Sequence, residues 1–173
     1  MASLQSTDFE LFGIPAQFAQ DRAALDAKWK DLQREAHPDK FAAQGATAQR
    51  VAMQWSVRIN EAYQRLKDPL RRASYLCELN DAPINAENNT AMPNDFLLQQ
   101  IEWRETLDDA KTVEKMSQIA KESNDYAERL LLKIEQLIDA KHDFSGAAAQ
   151  VRGLMFIERF ASEVETRIDQ LGQ

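Results

Sequence analysis

Apolar residues at alternating intervals of three and four, in stretches closed by proline or glycine, restrict this chain to a helical fold. Leu25, Trp29, Leu32 and Ala36 lie four, three and four apart, one face of a helix over about 21–36 that Pro38 stops. Ala52, Trp55, Ile59, Ala62, Tyr63 and Leu66 form a second stripe over about 47–67, which Asp68-Pro69 ends. Short helices are expected on either side. One covers 9–12, capped by Asp8 and closed by Gly13 and Pro15, and the other covers about 69–79 with Ala73, Leu76 and Cys77 together. Two antiparallel helices joined by a loop of about ten residues, with a short helix at each end, make a small all-helical domain over residues 1–80.

Residues 81–93 are rich in Asn and Pro and lack helical periodicity, so they read as a linker, with Asn94 after Pro93 as the next N-cap. Residues 94–173 predict three helices. The first covers about 94–109. The second covers about 111–141 and carries Val113, Met116, Ala120, Ala127, Leu130, Ile134 and Leu137. The third covers about 146–171 and carries Leu154, Ile157, Ala161, Val164, Ile168 and Leu171, after a turn at 143–146. This is the seam of an antiparallel three-helix bundle, and the fold class is all-α with two domains. With 44% apolar and 28% charged residues and only five Gly and five Pro, the composition favours a soluble helical protein. There is no apolar run of the ~18 residues that a membrane span requires. No signal-peptide pattern opens the chain, so a cytoplasmic location and no membrane partner are expected. A lone cysteine, Cys77, excludes an internal disulfide framework and reads as a buried thiol.

Net charge is −7, which argues against a nucleic-acid partner. Residues 1–80 hold 11 Lys/Arg against 10 Asp/Glu and residues 81–173 hold 10 against 18, so the halves differ electrostatically and predict different partners. In the first half, His37-Pro38-Asp39-Lys40-Phe41 lies in the loop between the two amphipathic helices. Pro38 fixes one φ and restricts His37, so an imidazole and a carboxylate are held at a set offset from a cationic helix face that bears Lys28, Lys30 and Arg34. Such a loop suits docking on an acidic partner surface, with Asp39 accepting a charge-assisted bond from an arginine. The other readings are a helix-breaking turn in which His37 and Asp39 only cap helix ends, or His37 as a general base. The latter lacks an accompanying nucleophile, acid or pocket signature. The two histidines, His37 and His142, belong to no spaced ligand cluster, so no metal is expected.

These motifs, in their order and spacing, resemble the J domain. Residues 9–15, Phe-Glu-Leu-Phe-Gly-Ile-Pro, look like its opening. Residues 37–41 are similar to its signature loop, and Ile59-Asn-Glu-Ala-Tyr-Gln-Arg-Leu-Lys-Asp-Pro69 to its third helix. The resemblance implies that His37, Pro38 and Asp39 stimulate ATP hydrolysis by a DnaK-type chaperone and that Lys28, Lys30 and Arg34 dock on its nucleotide-binding domain. The chain departs from the pattern at Ala36, where a tyrosine often precedes the histidine. It has no glycine-rich phosphate cradle, so no cofactor is expected and ATP would bind the partner.

The helix over 94–109 carries two apolar faces. Phe96, Trp103 and Leu107 fall within about 40°, whereas Leu97, Leu98 and Ile101 fall on a sector centred about 150° away. Phe156, on the last helix, lies about 110° off its core direction. The residues alone leave two readings open: a partner-binding patch edged by Glu102 and Glu105, or a second face packed on the J region or linker. The whole chain resembles the HscB family, co-chaperones of iron–sulfur cluster biogenesis. Residues 69–76, 95–107 and 151–157 (Val-Arg-Gly-Leu-Met-Phe-Ile) carry that likeness. It implies that Leu97, Leu98, Ile101, Glu102, Glu105 and Phe156 bind the cluster scaffold protein (IscU-like). The chaperone partner it implies is HscA-like. The absence of paired Cys-x-x-Cys motifs resembles the bacterial type, without metal. A non-enzymatic co-chaperone is therefore expected. A general J-domain co-chaperone or a helical adaptor with a different client is the alternative.

Overall fold

In the computed structural model, which describes residues 2–172, the expected helices form and no strand occurs among the described residues. Helix α1 spans Asp8–Phe12, α2 Arg22–Glu35, α3 Ala46–Lys67 and α4 Pro69–Leu79. Asp21 caps α2 by accepting from the N–H groups of Ala23 and Ala24. Thr7, not Asp8, caps α1: its hydroxyl accepts the Glu10 N–H at 3.1 Å. Gly13 then takes a left-handed φ of 62°, and the N–H groups of Gly13 and Ile14 return to the carbonyls of Glu10 and Phe9.

Released from capping, Asp8 turns inward and has no exposed surface. Arg65 Nε meets its carboxylate at 2.6 Å and Arg58 Nη1 at 2.8 Å, while its own N–H donates to the Tyr75 hydroxyl at 3.0 Å. Arg58 also donates to the carbonyls of Leu4 and Ser6, so one carboxylate ties the N-terminal segment, α1, α3 and α4 together. Helix α2 is held on α3 by Leu25, by Trp29 stacked on Tyr63 at 4.4 Å, and by the Tyr63 hydroxyl donating to Asp26 at 2.6 Å.

The chain divides into two compact units, Met1–Tyr75 and Leu76–Gln173, so the division falls inside α4. In the second unit α5 spans Asn94–Asp109, α6 Val113–Glu135 and α7 Phe144–Leu171. Pro93, not Asn94, occupies the cap position of α5, with no side-chain bond there. Asp143 caps α7 through the Gly146 N–H at 2.9 Å, so α7 starts two residues earlier than its apolar pattern implies. Residues Gln136–Ala140 form a π-helical turn. The wider turn shifts the apolar stripe by one position, burying Ile138 where Leu137 was expected to point inward. Leu171, also expected in the core, is exposed in the last turn of α7. Residues 81–93 are tied to this unit: Ile84 is buried, and Arg152 of α7 donates to the carbonyls of Ile84 and Ala91. Gly153 lets α7 approach α5, since a Cβ there would meet the Phe96 ring at 3.3 Å.

Asp8→Ala leaves two guanidinium groups without their buried partner and is expected to cost about 3 kcal/mol of unfolding free energy, read from the urea midpoint. An unchanged midpoint would contradict this assignment.

Candidate functional site

The loop after α2 is built by its own residues. His37 is extended (φ −62°, ψ 128°) and caps a 3-10 helix over Pro38–Gln44, its Nδ1 accepting the Asp39 N–H at 3.2 Å. Pro38 takes the first helical position, where its missing N–H costs nothing. The Lys40 N–H closes the turn on the His37 carbonyl at 3.1 Å. With Nδ1 used as an acceptor, the neutral imidazole carries its proton on Nε2. The 3.6 Å approach of Nδ1 to Asp39 Oδ2 is then a contact across the turn, because an ion pair there needs the same nitrogen protonated. The Asp39 side chain is 90% exposed and that of His37 is 58% exposed. The loop thus offers one donor and one carboxylate to a partner, and no group of metal-ligating side chains occurs among the described residues.

The basic residues of α2 divide. Lys30 and Arg34 lie about 40° apart on the outward side, whereas Lys28 lies roughly 160° from Lys30 on the opposite flank. All three are exposed. Arg34 pairs with Asp31 at 3.4 Å. Asp26 is committed to the Tyr63 hydroxyl and Arg22, which together hold its carboxyl below the usual range. Lys28 and Lys30 make no ion pair among the described residues. Behind the loop, an open and largely apolar cavity of about 530 Å³ is lined by Ala36 with Leu32, Phe41, Val51 and Trp55.

In the second unit α5 is two-faced, as its sequence predicts. Phe96, Trp103 and Leu107 are buried, while Leu98 is 71% and Ile101 54% exposed. Leu97 is half-buried, and Glu102 and Glu105 are exposed. Helix α7 brings Phe156 alongside: its ring lies edge-on to Phe96 at 5.8 Å and stacks on Phe160 at 5.9 Å. Arg104, which the sequence reading passed over, sits over the Phe156 and Phe160 rings and pairs with Glu163, holding that carboxyl below its ordinary range. Its signal in the sequence was a lone cation between two apolar sectors of one helix. Cys77 is fully buried, its S–H donates to the Phe144 carbonyl at 3.6 Å, and burial pushes the thiol up to about 11.

Residues 92–165 match the family model described as the HSCB C-terminal oligomerisation domain. Over 174 residues covering 99% of both chains, the sequence is 49% identical to the co-chaperone protein HscB homolog of Burkholderia multivorans. It is 48% identical, over the same share of both chains, to that of Burkholderia thailandensis. The structure is similar to that of chaperone HscB from Vibrio cholerae, with a TM-score of 0.80 and 35% identity over 96% of this chain and 99% of that one.

Two expectations follow from the faces of α5. Leu98→Asp and Ile101→Lys should each change unfolding free energy by less than about 0.5 kcal/mol, as exposed positions do. Trp103→Ala should cost about 3–5 kcal/mol. Chemical denaturation of the three variants decides it, and a large loss at Leu98 would mean that this face is covered. Cys77 should resist an aromatic disulfide reagent at pH 8 until denaturant is added.

Proposed function

This chain belongs to the HscB co-chaperone family, and from that premise we propose that it couples two partners through its two units. The first unit, a J domain, stimulates the ATPase of a specialised DnaK-type (HscA-like) chaperone. His37, Pro38 and Asp39 act as the activating loop, and Lys28, Lys30 and Arg34 act as the docking cations. The second unit delivers the iron–sulfur cluster scaffold protein (IscU-like) by its α5–α7 face, Leu97, Leu98, Ile101 and Phe156 with Glu102 and Glu105 at the rim.

The observation that carries this reading is the uncovered apolar face of α5. Leu98 and Ile101 face solvent on a helix that already buries its other side, and apolar surface displayed that way is characteristic of an interaction site. The exposed, preorganised His37–Asp39 turn supports the first half of the reading. The turn is fixed by the His37 side-chain cap and a main-chain bond, so little loop entropy remains to be lost on docking. Asp39 has the geometry to accept a bond from a partner arginine, and Lys30 and Arg34 lie outward to steer the approach to an acidic surface. Holding both partners on one chain raises the effective concentration of client at the chaperone, so modest separate affinities suffice.

A second reading of the same face is self-association. It is favoured by the match to the HSCB C-terminal oligomerisation domain, whose span includes all six face residues. Sedimentation across a range of concentrations separates the two: a mass that doubles with concentration and is lost in Ile101→Lys supports self-association.

The proposal is tested by separating its halves. Asp39→Asn should abolish ATPase stimulation while circular dichroism and scaffold binding stay as in the unaltered chain. Leu97→Ala combined with Phe156→Ala should weaken scaffold binding at least tenfold, measured by calorimetry, with stimulation in the absence of scaffold intact. Loss of both activities from either change would overturn the two-site division.

A further inference from the structure

Building on that reading of the His37–Asp39 loop, we infer that Ser56 is a positioning residue for ATPase activation, locking the loop from α3. The carbonyl of Ala36, immediately before His37, is one of the last carbonyls of α2 and has no partner within its own helix. Ser56 supplies one: its hydroxyl donates to the Ala36 oxygen at 3.1 Å. A serine inside a helix ordinarily donates to the carbonyl four residues back in the same helix. Here the hydroxyl is directed across to α2, 20 residues earlier in the chain. The contact is returned, because Gln33 on α2 donates from Nε2 to the Ser56 carbonyl at 3.3 Å. Both side chains are half-buried, so water competes weakly for these bonds.

The side chain at position 36 explains why so much rests on one hydroxyl. Ala36 reaches no further than a methyl group, and the space beyond it is the open cavity behind the loop. A large ring there would clamp the start of the loop by packing, but alanine cannot. Attachment to α3 at this end therefore falls on the main-chain carbonyl and the Ser56 hydroxyl, while the 3-10 helix over Pro38–Gln44 packs on α3 at the far end. His37 and Asp39 sit between the two attachments. The Ala36 N–H stays on the Leu32 carbonyl of α2, so releasing the Ser56 bond frees the end of α2 from α3 and lets the His37–Asp39 pair tilt about that last turn, while Lys30 and Arg34 stay on the body of α2. A chain so loosened still docks through its cations but carries a misplaced trigger.

The test is a titration of the cognate DnaK-type ATPase with full-length chains bearing Ser56→Ala or Ser56→Thr, beside the unaltered protein. The expected result for Ser56→Ala is a maximal stimulation lowered roughly fivefold, the equilibrium factor of one hydrogen bond. Its half-maximal concentration should change by less than about twofold, since docking is retained. Ser56→Thr keeps the hydroxyl and should restore most of the maximum. A purely structural role gives a different pattern: a lower melting temperature and a raised half-maximal concentration, with full stimulation at saturation. That pattern, or an alanine variant indistinguishable from the unaltered chain, overturns the inference and leaves the proposed function standing. An unaltered chain that stimulates nothing overturns both.

Discussion

A carboxylate with no exposed surface, Asp8, organises the first unit. Two guanidinium groups from α3 converge on it, its amide reaches Tyr75 on α4, and one of the same arginines holds the N-terminal segment. Charges removed from water need compensation on every side, and a carboxylate so surrounded tolerates very few backbone arrangements. Helix α3 is thereby fixed, and α2 lies on it through Leu25, Trp29 and the Tyr63–Asp26 bond. The His37–Asp39 loop inherits its placement from that chain of contacts. Its own contribution is local: a histidine cap and a proline at the first helical position set the turn.

The second unit meets the opposite requirement. It leaves apolar surface in water without losing its fold, because α5 has two separate faces. Phe96, Trp103 and Leu107 supply the burial that holds the helix, with Gly153 admitting the Phe96 ring close to α7. The second face is then free of structural duty. Arg104 marks the seam, lying over the Phe156 and Phe160 rings while paired with Glu163. Burial of the exposed face by a partner would yield a hydrophobic gain that folding has left unused.

Much of this was legible in the sequence because it follows from helical periodicity. The stripes on α2, α3, α6 and α7, the stop signals at Gly13 and Pro69, and the two faces of α5 are all consequences of 100° per residue. The failures have physical causes. Asp8 has a good capping side chain, but Thr7 stands one position earlier, and the buried arginines made a stronger claim on the carboxylate. Asp143 capped α7 early, which turned an expected loop into helix. The π-helical turn at Gln136–Ala140 changed the residue period, so the stripe arrived at Ile138. In α2 the three cations share a helix but not one face, because Lys28 lies apart from Lys30 and Arg34. The bond from Ser56 to Ala36 was out of reach, since no periodicity pairs two polar groups on different helices.

The proposed division of labour gives one chain a chaperone partner on one unit and a scaffold partner on the other. Its most direct test is the steady-state ATPase rate of the cognate DnaK-type chaperone, measured with this protein alone and again with the cluster scaffold added. Stimulation by the protein alone and a further rise when the scaffold is present are expected. Absence of any stimulation by the protein, with or without scaffold, would contradict it.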